Sequence, residues 1–181
     1  MGVYRDGRGG AQRDAYVGGN PVLGVDPAGL LSYLLSRPLA GNLGAVATHN
    51  FIVTNADYIG DPGASVYSYG MNAAGNVGRV NNATEGFSAG THNTDNAVWR
   101  SMSIEGNNVT LINAADVVVE TYANHLIENQ DYAAIAGLFG ANSNSAAQAI
   151  ANRAAGVPVP TPGGWRLSPG AGSWDEIQFK P

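Results

Sequence analysis

The string Asn142-Ser143-Asn144-Ser145, followed at once by small residues from Ala146, is the part of this chain best suited to covalent chemistry. Serine and asparagine are favoured helix caps, but one cap accounts for only one of these four residues. A hydroxyl at a helix start lies at the positive end of the helix dipole, where free backbone N–H groups can hold an oxyanion. Serine is a weak nucleophile alone and needs a base, usually histidine. Ser143 and Ser145 are therefore candidate nucleophiles, with Asn142 and Asn144 as binding residues beside them. His49, opening the apolar run Phe51-Ile52-Val53, is the candidate base if its strand packs on that helix.

The remaining titratable residues add less. His92 reads as an ordinary surface residue, and His125 as a cation suited to the end of a helix. No two histidines have the i,i+4 spacing of a helical metal motif, so no metal and no cofactor is expected. The group that orients the imidazole is open. Ser68 or Tyr69 on a following strand are the first choices, and Asn50 and Asp57 weaker ones. The acids are scattered, which argues against a carboxylate pair for glycoside cleavage. Trp99, with Trp165 and Trp174, is a candidate to line a substrate groove, although tryptophan belongs more often to a core.

This arrangement resembles the circularly permuted papain-like fold of the lecithin:retinol acyltransferase group and the permuted NlpC-type enzymes. Their order is a histidine on a strand, a polar residue on the next strand, then a nucleophile at a helix start, commonly as Asn-Cys. The matching positions are His49 in His-Asn-Phe-Ile-Val, the strand Val66–Gly70, and Asn142-Ser143. The resemblance prefers Ser143 over Ser145, because Ser143 follows Asn142 as the cysteine does. Serine in place of cysteine leaves three readings: a serine-using hydrolase, a chain that has lost activity, or a nucleophile replaced by substitution. An alcohol ionises far less readily than a thiol, whose free pKa is about 8.5.

Elements must bring these residues together. Residues 49–54 read as a strand and 64–70 as its hairpin partner, around the turn Asp61-Pro62-Gly63. Leu30–Leu35 is a helical turn or a strand, and 71–96 a long polar surface excursion. After the short apolar run Val109–Ile112, a helix is expected from Asn113–Asp116 to about Glu128, with Val118, Tyr122 and Leu126 on one face. A second helix runs from 142 to about 155, with Ala146, Ala147, Ile150 and Ala154 on its tight face and Gly156 and Pro158 ending it. The proline-rich tail should be irregular with one edge strand. The fold class is α+β: a small antiparallel sheet packed against two or three helices.

Composition bounds the function. Glycine, at 25 residues, and proline, at 9, make up about a fifth of the 181 residues, and charged residues only 13%. The apolar share of 44% excludes a disordered acidic tail. The net charge is −5, and Lys180 is the only lysine, so there is no basic stripe for nucleic acid. Without cysteine, disulfides and thiolate sites are impossible. No apolar run approaches the roughly 18 residues of a membrane helix, and the N-terminus does not read as a secretory signal.

The segment Tyr16–Leu30, YVGGNPVLGVDPAGL, resembles the end of the conserved core of RHS-repeat (YD-repeat) proteins. It divides the chain into a remnant at 1–30 and a domain at 31–181. In that family a β-shell encloses a variable C-terminal toxin that is cut after Asp-Pro-x-Gly-Leu. The resemblance implies that Asp26 is a remnant of the cleavage motif, with the cut after Leu30. It further implies delivery by a dedicated secretion system and a cognate immunity protein. The leading expectation is a toxin-domain hydrolase or acyltransferase acting on a lipid, peptide or peptidoglycan bond through His49 and Ser143. The alternative is a non-enzymatic or degenerate payload. A third class is a nuclease or ADP-ribosyl-transferring toxin; nucleases usually need a His/Asp/Glu/Lys cluster, and the sequence shows none.

Overall fold

The computed structural model describes residues 30–39, 41–81, 88–101, 108–128, 130–133, 141–163 and 167–181. The 1–29 portion of the remnant with Asp26, residues 82–87 and Trp165 lie outside the described residues.

The principal sheet holds four antiparallel strands: β1 (Leu31–Pro38), β2 (Thr48–Ala56), β3 (Ser65–Tyr67) and β6 (Val109–Ile112), in the order β3-β2-β1-β6. The first apolar segment is therefore a strand and occupies the sheet's centre. Both faces of β1 and β2 are covered, so their buried residues run almost continuously rather than alternating. On one face Leu34, Ile52 and Ile112 pack with helices α2 (Asp116–His125) and α3 (Ser143–Ala155). On the other, Tyr33, Leu35, Phe51 and Val53 pack with Trp99 of helix α1 (Thr91–Ser101). The chain is α+β, with helices on both sides of a small antiparallel sheet.

The expected hairpin of 49–70 forms only in part. β3 ends at Tyr67; after Ser68 the chain enters β4 (Tyr69–Met71), which pairs with β5 (Val77–Arg79) in a separate ribbon. The 71–96 stretch is thus no surface excursion, because it contributes that ribbon and the start of α1. Tight Gly/Asn turns hid it: Asn72 Oδ1 accepts from the N–H groups of Ala74 and Asn76. In α2 Asp116, Val119 and Ala123 are buried, and Tyr122 and Leu126 of the expected face pack into the same core, while Val118 is exposed. The helix begins at Asp116 with no side-chain cap from Ala115, and it ends at His125. Within β1 and β2 the register shifts between Leu31 and Tyr33, and Asn55 on β2 takes φ 57°. Asparagine tolerates that left-handed conformation better than most residues. The tail forms a 3-10 helix at Ala171–Glu176 and bridges Phe179 to Leu126.

Candidate active site

Ser143 is the first residue of α3, and Asn142 before it has extended backbone and caps the helix. The Asn142 side-chain oxygen accepts from the N–H groups of Asn144, at 2.9 Å, and Ser145, at 3.2 Å. Ser145 Oγ accepts from Asn142 N–H at 2.7 Å and donates back to the Asn142 carbonyl. Ser145 is therefore a capping-box residue and is committed to the backbone, which removes it as a nucleophile. Asn142 is no ligand contact either, since its Nδ2 donates to the Pro169 carbonyl. Gly170 makes this approach possible. A Cβ there would stand 2.2 Å from Asn142 Nδ2, and its φ of 83° suits glycine.

Asn144 joins helix and strand. Its Oδ1 accepts from Asn50 N–H at 2.7 Å, and its Nδ2 donates to the Thr48 carbonyl at 2.9 Å. One side-chain amide thus binds the backbone on both sides of His49, as a neighbouring strand would. It is a buried positioning group rather than a binding residue.

That clamp sets the central contact. His49 Nδ1 lies 3.0 Å from Ser143 Oγ, across 94 positions of sequence, and its Nε2 lies 3.0 Å from Asp95 Oδ2. The ionised carboxylate only accepts, so Nε2 carries the proton and donates to it. Nδ1 is then the acceptor for the Ser143 hydroxyl. The nitrogens are used in the opposite sense to a chymotrypsin-type triad, where Nε2 faces the serine.

Asp95 is fully buried, and Arg37 Nε donates to its other oxygen at 2.5 Å. Arg37 stands directly opposite His49 across β1 and β2, so a cross-strand pair shares one carboxylate. Burial raises the Asp95 pKa, but His49, Arg37 and the Ser68 hydroxyl together outweigh it and hold the carboxyl below its ordinary range. The sequence offered a signal for Asp95 that the polar composition of 71–96 obscured. Asp95 and Trp99 are four apart and form the buried face of α1.

The expected orienting groups are placed elsewhere. Tyr69 lies in the core, with a buried hydroxyl that has no hydrogen-bond partner among the described residues, and it does not bond the imidazole. Ser68 touches Asp95 rather than His49. Asp57 is exposed. Asn50 lies beside the clamp, with its Oδ1 accepting from Ser168 Oγ. Trp99 lines no groove: it is buried against Tyr33, and its indole N–H donates to the Asp61 carbonyl at 2.7 Å. His92 is half-buried and bonded to Ser68, not a free surface residue.

The Tyr132 hydroxyl bonds both the side chain and the backbone N–H of Ser143. Asn142 takes the next two N–H groups of α3, so the Ser143 N–H is the donor that faces this hydroxyl. Ser143 itself is only 6% exposed. Among the described residues no group of three histidines or acids could hold a metal, and no helix is long and apolar enough to cross a membrane.

No family model, no curated protein and no solved structure matches the chain.

Proposed function

We propose that the protein is a hydrolase or acyltransferase that cleaves an ester or amide through an acyl-enzyme on Ser143. The observation that carries this reading is one buried imidazole bonded to a helix-start serine on one nitrogen and to a carboxylate on the other. As Ser143 Oγ attacks a carbonyl carbon, its proton passes to His49 Nδ1. Asp95 holds the ring in the required tautomer and stabilises the imidazolium. The Ser143 N–H is the donor placed for the developing oxyanion, once the Tyr132 hydroxyl gives way to the substrate's oxygen. The imidazolium then protonates the leaving group, and water or another acceptor releases the acyl group.

The permuted papain-like relationship belongs to the same proposal, supported by the order of the histidine strand before the nucleophile helix. So do delivery as the payload of an RHS-type shell, an immunity partner, and a lipid or cell-wall substrate; the motif at Tyr16–Leu30 supports the delivery. The burial of Ser143 favours the alternative, a payload without catalysis.

A fluorophosphonate probe decides between them. The expected result is labelling of the folded protein at Ser143, mapped by mass spectrometry, and its loss in Ser143→Ala and His49→Ala. A folded protein that remains unlabelled by both small and long-chain probes overturns the assignment.

A further inference from the structure

The mechanism above leaves a second histidine unused. His92 Nδ1 lies 3.2 Å from Ser68 Oγ, and the Ser68 hydroxyl is one of the groups that help hold the Asp95 carboxyl below its ordinary range. On the far side of the ring, His92 Nε2 lies 2.9 Å from Asn96 Nδ2, one turn along α1. These contacts define every proton. An amide nitrogen is a donor, so Nε2 of His92 is the acceptor and the ring is neutral. Its Nδ1–H therefore donates to Ser68 Oγ, and the single Ser68 hydroxyl proton goes to Asp95. The result is a directional chain, Asn96 to His92 to Ser68 to Asp95 to His49, ending on the proposed nucleophile. Ser68 is fully buried in the break between β3 and β4, whereas His92 is half-buried.

We infer that Ser68 and His92 are positioning residues of this site, which aim the Asp95 carboxylate at His49 and make the site's reactivity respond to the protonation of His92. The inference rests on the acyl-transfer function proposed above. A proton added to His92 Nε2 meets the Asn96 amide donor head-on, and it places a positive charge one hydroxyl away from the carboxylate. Asp95 then supports the His49 imidazolium less well, so attack by Ser143 slows.

The charged groups facing His92 are, among the described residues, Asp95 on its own helix and Arg79 on β5. β3 and β4, which pack on α1, bring no charged side chain; their titratable groups are the phenols of Tyr67 and Tyr69. Burial lowers the His92 pKa from its ordinary value; Asp95 opposes this and Arg79 adds to it. The ring is thus neutral at neutral pH and gains its charge on acidification.

The test measures Ser143 fluorophosphonate labelling between pH 5 and 8 in Ser68→Ala, His92→Asn and His92→Phe. Thermal melts of each variant confirm folding. Asparagine keeps a donor near the position of Nδ1 but cannot titrate. The expected outcome for Ser68→Ala is a loss of about tenfold at every pH. His92→Asn should stay within about twofold of the natural chain at pH 8 and keep its rate to lower pH. His92→Phe should lose rate at pH 8 as well. Ser68→Ala and His92→Asn profiles that superimpose on the natural one overturn the inference.

A second readout is independent of any catalysis. Nitrogen NMR of the histidine rings should show His92 protonated on Nδ1, and Ser68→Ala should shift the His92 Nδ1 resonance as that proton loses its acceptor. Should the natural chain resist every probe, the catalytic function fails while this NMR result still judges the chain of contacts. A His92 Nδ1 resonance unmoved by Ser68→Ala, or a His92 proton on Nε2, overturns it.

Discussion

At the scale of single residues, Asp95 is the point where structure and chemistry meet. Its two oxygens serve different partners, Arg37 on one and His49 on the other. Asp95→Asn keeps the shape but presents an amide in place of one acceptor, and the imidazole loses the partner that fixes its tautomer. In a chymotrypsin-type triad the equivalent change costs about 10⁴-fold, and a loss of about 10³–10⁴ in the Ser143 labelling rate is expected here. The same substitution leaves Arg37 as a buried charge without its counter-ion. Breaking such a pair costs about 3–5 kcal/mol, so a lowered melting temperature should accompany the rate loss. Labelling of folded Asp95→Asn at the natural rate would remove Asp95 from the mechanism. Asp95 was legible only in part from sequence. Its polarity placed it among surface residues, and its helical spacing with Trp99 was the one sign of burial.

At the scale of elements, the site depends on how the start of α3 is joined to β2. Helix propensity places Ser143 at a helix start, and the capping box stabilises that start by about 1 kcal/mol. Neither aims the serine at His49. The Asn144 amide does so, by occupying the backbone of Thr48 and Asn50 on either side of the histidine. Asn144→Ala leaves a buried N–H and a buried carbonyl without that partner, at a cost of about 1–3 kcal/mol each. For a domain of this size we expect the melting midpoint to fall by several degrees, at about 2–4 °C per kcal/mol. Labelling should weaken as well, since the helix start is no longer held to the strand. Ser145→Ala offers the contrast: about 1 kcal/mol lost from the cap, with the probe still found on Ser143. Labelling that follows Ser145 instead would reverse the assignment of the two serines. The helix at 143–155 was legible because its cap, small-residue face and Gly156 stop agree. The ribbon and α1 were not, because Gly- and Asn-rich turns and polar exposed faces read as loop.

At the scale of the whole molecule, a buried carboxyl and a half-buried imidazole link stability to pH. Asp95 has a native pKa below its unfolded value of about 3.9. Its contribution is therefore complete above that value and is lost as pH falls through the lower native pKa. His92 is also depressed in the native state, relative to an ordinary value near 6.5. Folding then favours the neutral ring, and that preference is present above about pH 6.5 and is lost as the pH falls through the lowered value. Stability should hold steady from pH 8 to near 6.5, decline modestly below it, and fall more steeply under pH 4. Melting temperatures measured across pH 3–8 check this. Removing the first decline with His92→Asn while keeping the second would separate the two groups.

Sequence alone was enough for what local chemistry controls: the α+β class, a strand over residues 49–54, the capped helix from 142 to about 155, and the serine and histidine worth pairing. These follow from β-branched runs, from side chains that satisfy free N–H groups, and from the need of an alcohol for a base. Folding in space supplied the rest. Asp95, Arg37 and Asn144 act through partners tens of residues away, and the covering of both sheet faces erases the alternation by which strands are usually recognised. Spacing along the chain carries no record of such meetings, because they arise when separate elements pack and buried polar groups must find one another.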